Sequence, residues 1–428
     1  MNPAPSVYAI DFGTSNSLLA GANQDHVFPP IPLDPHAADP TILRSIVYFP
    51  NAERAYVGEE ALAKYVENGL EGRLLRSLKR HLPARSFRGT HIGNRPMLVE
   101  DLVAVLLREM RKRANVHYGV DVKRAVLGRP ARFSTHDVDD DFAEQRLRSA
   151  AERAGFEEIH FLPEPVAAAR EFRVAFSGKA SGCVLVCDFG GGTSDFTVMR
   201  LGERPFERSD VLAIGGVPVA GDALDASIMR SHVAKNFGAD VAYRVPMGSN
   251  VLRMPVQITE QLCSPAHLSI LRRPDIAEFL RNVRSWALDG GEREKLDQLK
   301  TLVDDALGFQ LFEVIERAKR ALSTDDVAPV EFVYPSIDVH EQVTRAGFEA
   351  ASERAATTIL ACLDKTVDDA GVGREGIDVV CCTGGTAKVP MLAREIAARF
   401  GEHKLRDFRS FHSVVQGLAH HARGVARG

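Results

Sequence analysis

The tripeptide Asp-Phe-Gly occurs twice, each time closing a short apolar run and leading into small hydroxyl residues. The first copy reads Asp11-Phe12-Gly13-Thr14-Ser15-Asn16-Ser17; the second reads Asp188-Phe189-Gly190-Gly191-Gly192-Thr193-Ser194-Asp195. Glycine tolerates positive φ and close backbone approach, so consecutive N–H groups in such turns converge on an anion. The hydroxyls of Thr193 and Ser194 add donors. Two such turns set face to face would hold a phosphate chain, with Asp11 and Asp188 beside a metal. Magnesium suits that setting, because it keeps several waters and takes few protein ligands. Both aspartates are expected to hold it through water. A third glycine turn, Thr383-Gly384-Gly385-Thr386, stands between an apolar run and a helical pattern, where a helix N-terminus favours anions. Taken singly, each turn also reads as a hairpin or a capped loop; their pairing and context favour the phosphate reading.

The elements around these turns alternate strand and helix, which predicts an α/β class. Val7 to Ile10 is a buried strand with Ser17 to Ala20 as its hairpin partner; Val184 to Cys187 and Phe196 to Met199 repeat the pattern. Strand, Asp-Phe-Gly turn and return strand thus occur once in each half. That internal repeat predicts two related α/β lobes around a cleft, at 1–181 and 182–428. Helices are expected at 98–114, 139–154, 310–322 and 390–400, and strands at 125–127 and 377–382. Five prolines between Pro29 and Pro40 exclude regular structure there. Pro246, Pro255, Pro265, Pro274 and Gly290-Gly291 break the pattern, so 240–300 reads as an irregular insertion grading into helices.

A net charge of −4 gives no electrostatic reason to expect a nucleic-acid partner. Two local basic groups read as solvated helix faces: Arg73, Arg76, Lys79, Arg80, Arg85 and Arg88, and then Arg108, Arg111, Lys112 and Arg113. Lys79 is the candidate exception. No apolar run approaches the ~20 residues that span a bilayer, and Met1 to Ser6 has no signal-peptide character. The six cysteines form no Cys-x-x-Cys pair, which fits a reduced, cytoplasmic protein. A monomer is expected.

The three turns match, in order, the two phosphate motifs and the adenosine motif of the actin-like ATPase superfamily. Leu162-Pro163-Glu164-Pro165-Val166-Ala167-Ala168-Ala169 resembles the Asn-Glu-Pro-Thr-Ala-Ala-Ala segment of DnaK-type heat-shock chaperones. Glu316-Arg317-Ala318-Lys319-Arg320-Ala321-Leu322-Ser323 is nearly their adenosine-clasping helix. The resemblance lies within the nucleotide-binding domain of that family, and is strongest to its truncated YegD-type members. It implies ATP/ADP and Mg2+ as ligands, with ATP hydrolysis as the reaction. Asp11 and Asp188 would hold the hydrated ion. Gly13, Thr14, Ser15 and Asn16 would cradle the phosphates from one lobe, and Gly190, Gly191, Gly192 and Thr193 from the other. Lys79 matches the family's catalytic lysine, and Glu164 would orient the attacking water or its proton acceptor. Asp188 and Thr193 complete the catalytic set. Gly221 and Asp222, with Glu316, Lys319, Arg320, Ser323, Gly384, Gly385, Thr386 and Lys388, would bind the rest of the nucleotide. Pro130 matches a proline thought to relay nucleotide state.

Some positions depart from the family. Lys388 stands in place of arginine and loses planar stacking on adenine. Asp222 replaces a glutamate, and Phe411 or His412 falls where an acid is usual. No acid-rich linker or peptide-binding β-sandwich follows Gly417, so classical peptide refolding is not expected. The implied function is an ATP-driven switch acting on an unknown protein partner. The alternatives are an actin-like filament former, a small-molecule kinase with Asp195 as base, and a nucleotide binder that hydrolyses poorly.

Overall fold

The computed structural model describes residues 3–69, 71–131, 133, 137–170, 181–202, 207–264, 267–407 and 412–427. Two five-stranded sheets form its frame, and their orders correspond strand for strand. In the first, strand Val7–Phe12 sits centrally. It pairs antiparallel with Asn16–Ala22 and parallel with Arg124–Arg129, which pairs parallel with Glu158–Pro163. In the second, Ser181–Phe189 takes the central place. It pairs antiparallel with Ser194–Gly202 and parallel with Val379–Thr383, which pairs parallel with Leu405–Asp407. Each Asp-Phe-Gly segment therefore closes a central strand and opens a hairpin. The central strands are buried on both faces, which explains their continuous apolar runs, Val7 to Ile10 and Cys183 to Cys187.

The strand expected at 125–127 runs on through Gly128 to Arg129, and Pro130 ends it. The helices expected at 98–114, 139–154, 310–322 and 390–400 are Val99–Tyr118, Asp137–Arg153, Gly308–Ala321 and Pro390–Phe400. No helix among the described residues is long and apolar enough to cross a membrane.

Three expectations are corrected. The 240–300 segment is mostly helical: Val256–Leu262, Pro274–Trp286 and Gly290–Asp304. Two of its prolines start helices instead of breaking them. Pro255 precedes the first and Pro274 opens the second, where a missing N–H costs nothing. Asp289 caps the third by accepting from the Glu292 N–H at 2.9 Å. The basic group beginning at Arg73 is not a helix face. Arg73–Arg76 is a strand and Leu78–His81 a 3-10 turn. Of the second group, Arg111 is half-buried over the Phe156 ring. The last described helix, Ser413–Arg427, also lies outside the half its sequence position suggests. Val415, Leu418, Ala419 and Ala422 pack with Val7, Ala9, Ala20 and Val126 of the first sheet. The first lobe is thus covered by the far end of the chain.

Gly417 makes that packing close. A Cβ there would lie 1.9 Å from the Ala167 carbonyl oxygen. Gly417→Ala is expected to lower stability by about 1–3 kcal/mol through overpacking against backbone, measured as a fall in urea midpoint with unchanged slope.

Candidate functional site

The parallel registers bring the two acidic turns to the same end of their sheets. Asp188 lies opposite Asp195 on one side and Thr383 on the other. The Thr383 hydroxyl donates to Asp188 Oδ1 at 2.6 Å, which fixes the orientation of that carboxylate. Asp11 occupies the matching place at the end of Val7–Phe12.

Glu164 is the first residue of a short helix, Glu164–Arg170, directly after strand Glu158–Pro163. Pro163 and Pro165 flank it, so it sits at a strand-to-helix junction. Its carboxylate meets Lys79, whose Nζ donates to Glu164 Oε1 at 2.6 Å with both side chains buried. Electrostatics draw Asp11, Glu164, Asp188 and Lys79 into one group. Burial, then the Glu164 carboxylate, pushes the Asp11 carboxyl up to about 8, with Asp188 adding to the rise and Lys79 opposing it. Burial also raises Glu164 against the pull of Lys79. For Lys79, burial opposes the charge, but the carboxylates of Glu164, Asp11 and Asp188 outweigh it and raise the ammonium. Three acids face one base, so two negative charges go unbalanced when all are ionised. A hydrated divalent cation of the hard, oxygen-preferring kind fits that deficit. Among the described residues no group of three His, Cys, Asp or Glu side chains is placed to ligate an ion directly.

The two glycine turns face each other. A Cβ added to Gly191 would lie 2.9 Å from Ser15 Oγ and 3.3 Å from Asp222 Oδ1. Ser45 shapes the first turn: its hydroxyl donates to the Gly13 carbonyl at 2.8 Å, and its N–H to the Ser15 carbonyl at 2.8 Å. Thr14 lies between those two anchors, and Asn16 opens the return strand opposite Arg44. In the second turn the Gly190 N–H donates to the Thr193 carbonyl at 2.9 Å. The Thr193 hydroxyl donates to Asp195 at 2.9 Å. Burial, then Asp188, pushes the Asp195 carboxyl up to about 6. Gly192 lies beside Arg80: a Cβ there would be 3.1 Å from its Nη1.

The remaining candidates gather on the second lobe. Gly221 and Asp222 start the helix Gly221–Ile228, and the Asp222 N–H donates to the Gly191 carbonyl at 2.7 Å. Lys319 donates to the Gly221 carbonyl at 3.2 Å and to Asp225 at 2.8 Å. Arg320 bonds Glu316, and Ser323 sits in the following turn, its N–H on the Arg320 carbonyl at 3.1 Å. Gly384 has φ +87°, and a Cβ there would strike the Phe189 carbonyl oxygen at 2.0 Å, so the third turn rests on the second. Thr386 Oγ1 reaches the Gly190 carbonyl at 3.5 Å. Gly385 and Lys388 bound the 3-10 turn Gly385–Lys388. His412 meets the Thr41 hydroxyl at 2.7 Å; Phe411 lies outside the described residues.

Several residues here escape sequence reasoning. Arg44 forms a two-pronged ion pair with Glu313 across the cleft, at 2.6 and 3.1 Å. Arg76 lies 4.4 Å over the Phe309 ring on the same helix as Glu313. Asp225 partners Lys319. Arg76 and Arg80 were hidden inside a basic run, and Arg44 and Ser45 belong to no motif. The weak signal was their nearness in sequence to Lys79 and to the proline-rich loop.

Lys79→Ala is expected to lower stability by about 3 kcal/mol, because it leaves a buried carboxylate without its counter-charge. Adding Glu164→Gln should recover most of the loss. Urea midpoints measured without added metal or nucleotide check both.

A sequence model of the family described as Hsp70 protein matches residues 85–253 and 291–428. The chaperone protein DnaK of Thermotoga neapolitana is 25% identical over 427 residues, covering 96% of this chain and 58% of that protein. DnaK of Thermosipho africanus is 25% identical over 425 residues, covering 98% and 59%. The chaperone protein HscA homolog of Pseudomonas aeruginosa is 28% identical over 438 residues, covering 97% and 57%. The chain thus spans under two thirds of the length of these relatives.

Proposed function

The chain belongs to the Hsp70 family and has its actin-like ATPase fold, and from that premise we propose that it binds Mg-ATP between its lobes and hydrolyses it to ADP and phosphate. The observation that carries this reading is the buried Lys79–Glu164 pair, 2.6 Å apart, beside the acids that close both central strands. Phosphoryl transfer to water needs mainly positioning and charge neutralisation. Asp11 and Asp188 would hold hydrated Mg2+, which when bound neutralises charge on the phosphate oxygens. Gly13 to Asn16 and Gly190 to Thr193 would offer N–H and hydroxyl donors to the phosphates from opposite sides. Lys79 would face the terminal phosphate. Glu164 would orient the attacking water and accept its proton; a carboxyl raised by burial is a better base than an exposed one.

The adenosine would lie against Glu316, Lys319, Arg320, Ser323 and the turn from Gly384 to Lys388. Lys319 ties this clasp to Gly221 and Asp225, so the base and phosphate ends would respond together. Closure across the Arg44–Glu313 pair would make the two lobes a conformational switch, with a protein partner or client favouring one state by differential affinity. A kinase-type role for Asp195 is less favoured, since the Thr193 hydroxyl already donates to it. A cytoplasmic, monomeric protein is part of the same proposal.

Asp188→Asn should keep the fold and reduce Mg-ATP hydrolysis at least about tenfold. Chelation with EDTA should abolish turnover in the unmutated protein. Phosphate release measured with the purified chain tests both, and unchanged turnover in Asp188→Asn would remove the assignment of this carboxylate.

A further inference from the structure

The turn that carries Lys79 has little structure of its own. Ser77 enters it at φ 55°, in the left-handed region. The 3-10 turn spans Leu78–His81, and no helix or strand follows until Gly89. Carbonyl groups in such a loop need partners, and one side chain from another element supplies four. Arg146, on the helix Asp137–Arg153, is 6% exposed. Its Nη1 is shared among the carbonyl oxygens of His81 at 3.1 Å, Leu82 at 3.3 Å and Ala84 at 3.3 Å. Its Nη2 donates to the Phe87 carbonyl at 3.3 Å. On its remaining edge Nε lies 3.1 Å from Glu100, and the Phe142 ring covers the guanidinium at 4.5 Å. The loop links back to the lysine directly, because the Leu82 N–H donates to the Lys79 carbonyl at 3.2 Å.

We propose that Arg146 is a positioning residue for Lys79. By gathering the 81–87 carbonyls it fixes the C-terminal end of the turn. That end sets where the ammonium stands relative to Glu164 and to a terminal phosphate. A planar fork with five donors can hold several carbonyls in one plane; a lysine cannot. Among the described residues Arg146 contacts neither the acids of the cleft nor the adenosine clasp, so its effect on chemistry passes through the turn that carries Lys79. The inference rests on the reading of the cleft as an ATP-hydrolysing site.

The test compares the unmutated chain with Arg146→Ala, Arg146→Lys, Lys79→Ala and the Arg146→Ala/Lys79→Ala double variant. Steady-state ATP hydrolysis, binding of a fluorescent ATP analogue and amide hydrogen exchange across 78–87 are measured for each. Arg146→Ala is expected to lower kcat about tenfold while nucleotide affinity stays within about twofold, and to speed exchange at 78–87. The double variant should turn over no more slowly than Lys79→Ala, and Arg146→Lys should recover only part of the loss. A folded Arg146→Ala protein with full kcat overturns the proposal, as do losses that multiply in the double variant. If Arg146→Ala does not fold, Arg146→Lys decides by the same kcat and affinity readings. If the unmutated chain binds nucleotide without hydrolysing it, the ATPase reading fails. Hydrogen exchange still judges the anchoring in that case: unchanged exchange at 78–87 overturns it.

Discussion

A buried ammonium among buried carboxylates is the constraint around which this molecule is arranged. Lys79 and Glu164 reach each other from elements far apart in sequence, and Asp11 and Asp188 crowd the same space. Charges are withdrawn from water only at considerable cost, and the cost is met by good geometry and by further bonds to the same groups. Three of the four members are held by neighbouring structure. Thr383 directs Asp188, a strand-to-helix junction directs Glu164, and a pinned turn directs Lys79. When all three acids are ionised, Lys79 balances only one of them.

The corresponding strand orders of the two sheets explain how one chain builds two opposed phosphate turns. In each sheet the central strand has one antiparallel and one parallel neighbour. The turn after it therefore emerges at the end shared with the parallel strands, where loops are free to carry function. The third glycine turn is the loop after one of those parallel strands, and Glu164 follows another. Position in the sheet, more than residue type, selects which loops face the cleft.

Much of this was legible because chemistry and topology left local traces. The Asp-Phe-Gly repeats, the Glu164 segment and the Glu316–Ser323 segment each carry their signal within a few residues, and the repeat predicts the two sheets. Other parts had no local trace. Pro274 reads as a breaker until its place at a helix start is known. Arg76 and Arg80 look like ordinary surface charge, because their partners Phe309 and Gly192 come from the other lobe. Arg44 and Glu313 lie in separate lobes and form a pair only after both have folded. The helix Ser413–Arg427 was not among the expected helices, and nothing local says which sheet it covers.

That last placement bears on how the molecule assembles. The face of the first sheet that includes Val7, Ala9, Ala20 and Val126 is sealed by residues 413–427. During synthesis this face is made early and its cover late. Residues 413–427 must emerge before the first lobe can bury that surface. Until then the first lobe, although made earlier, presents an apolar face of the kind that favours aggregation.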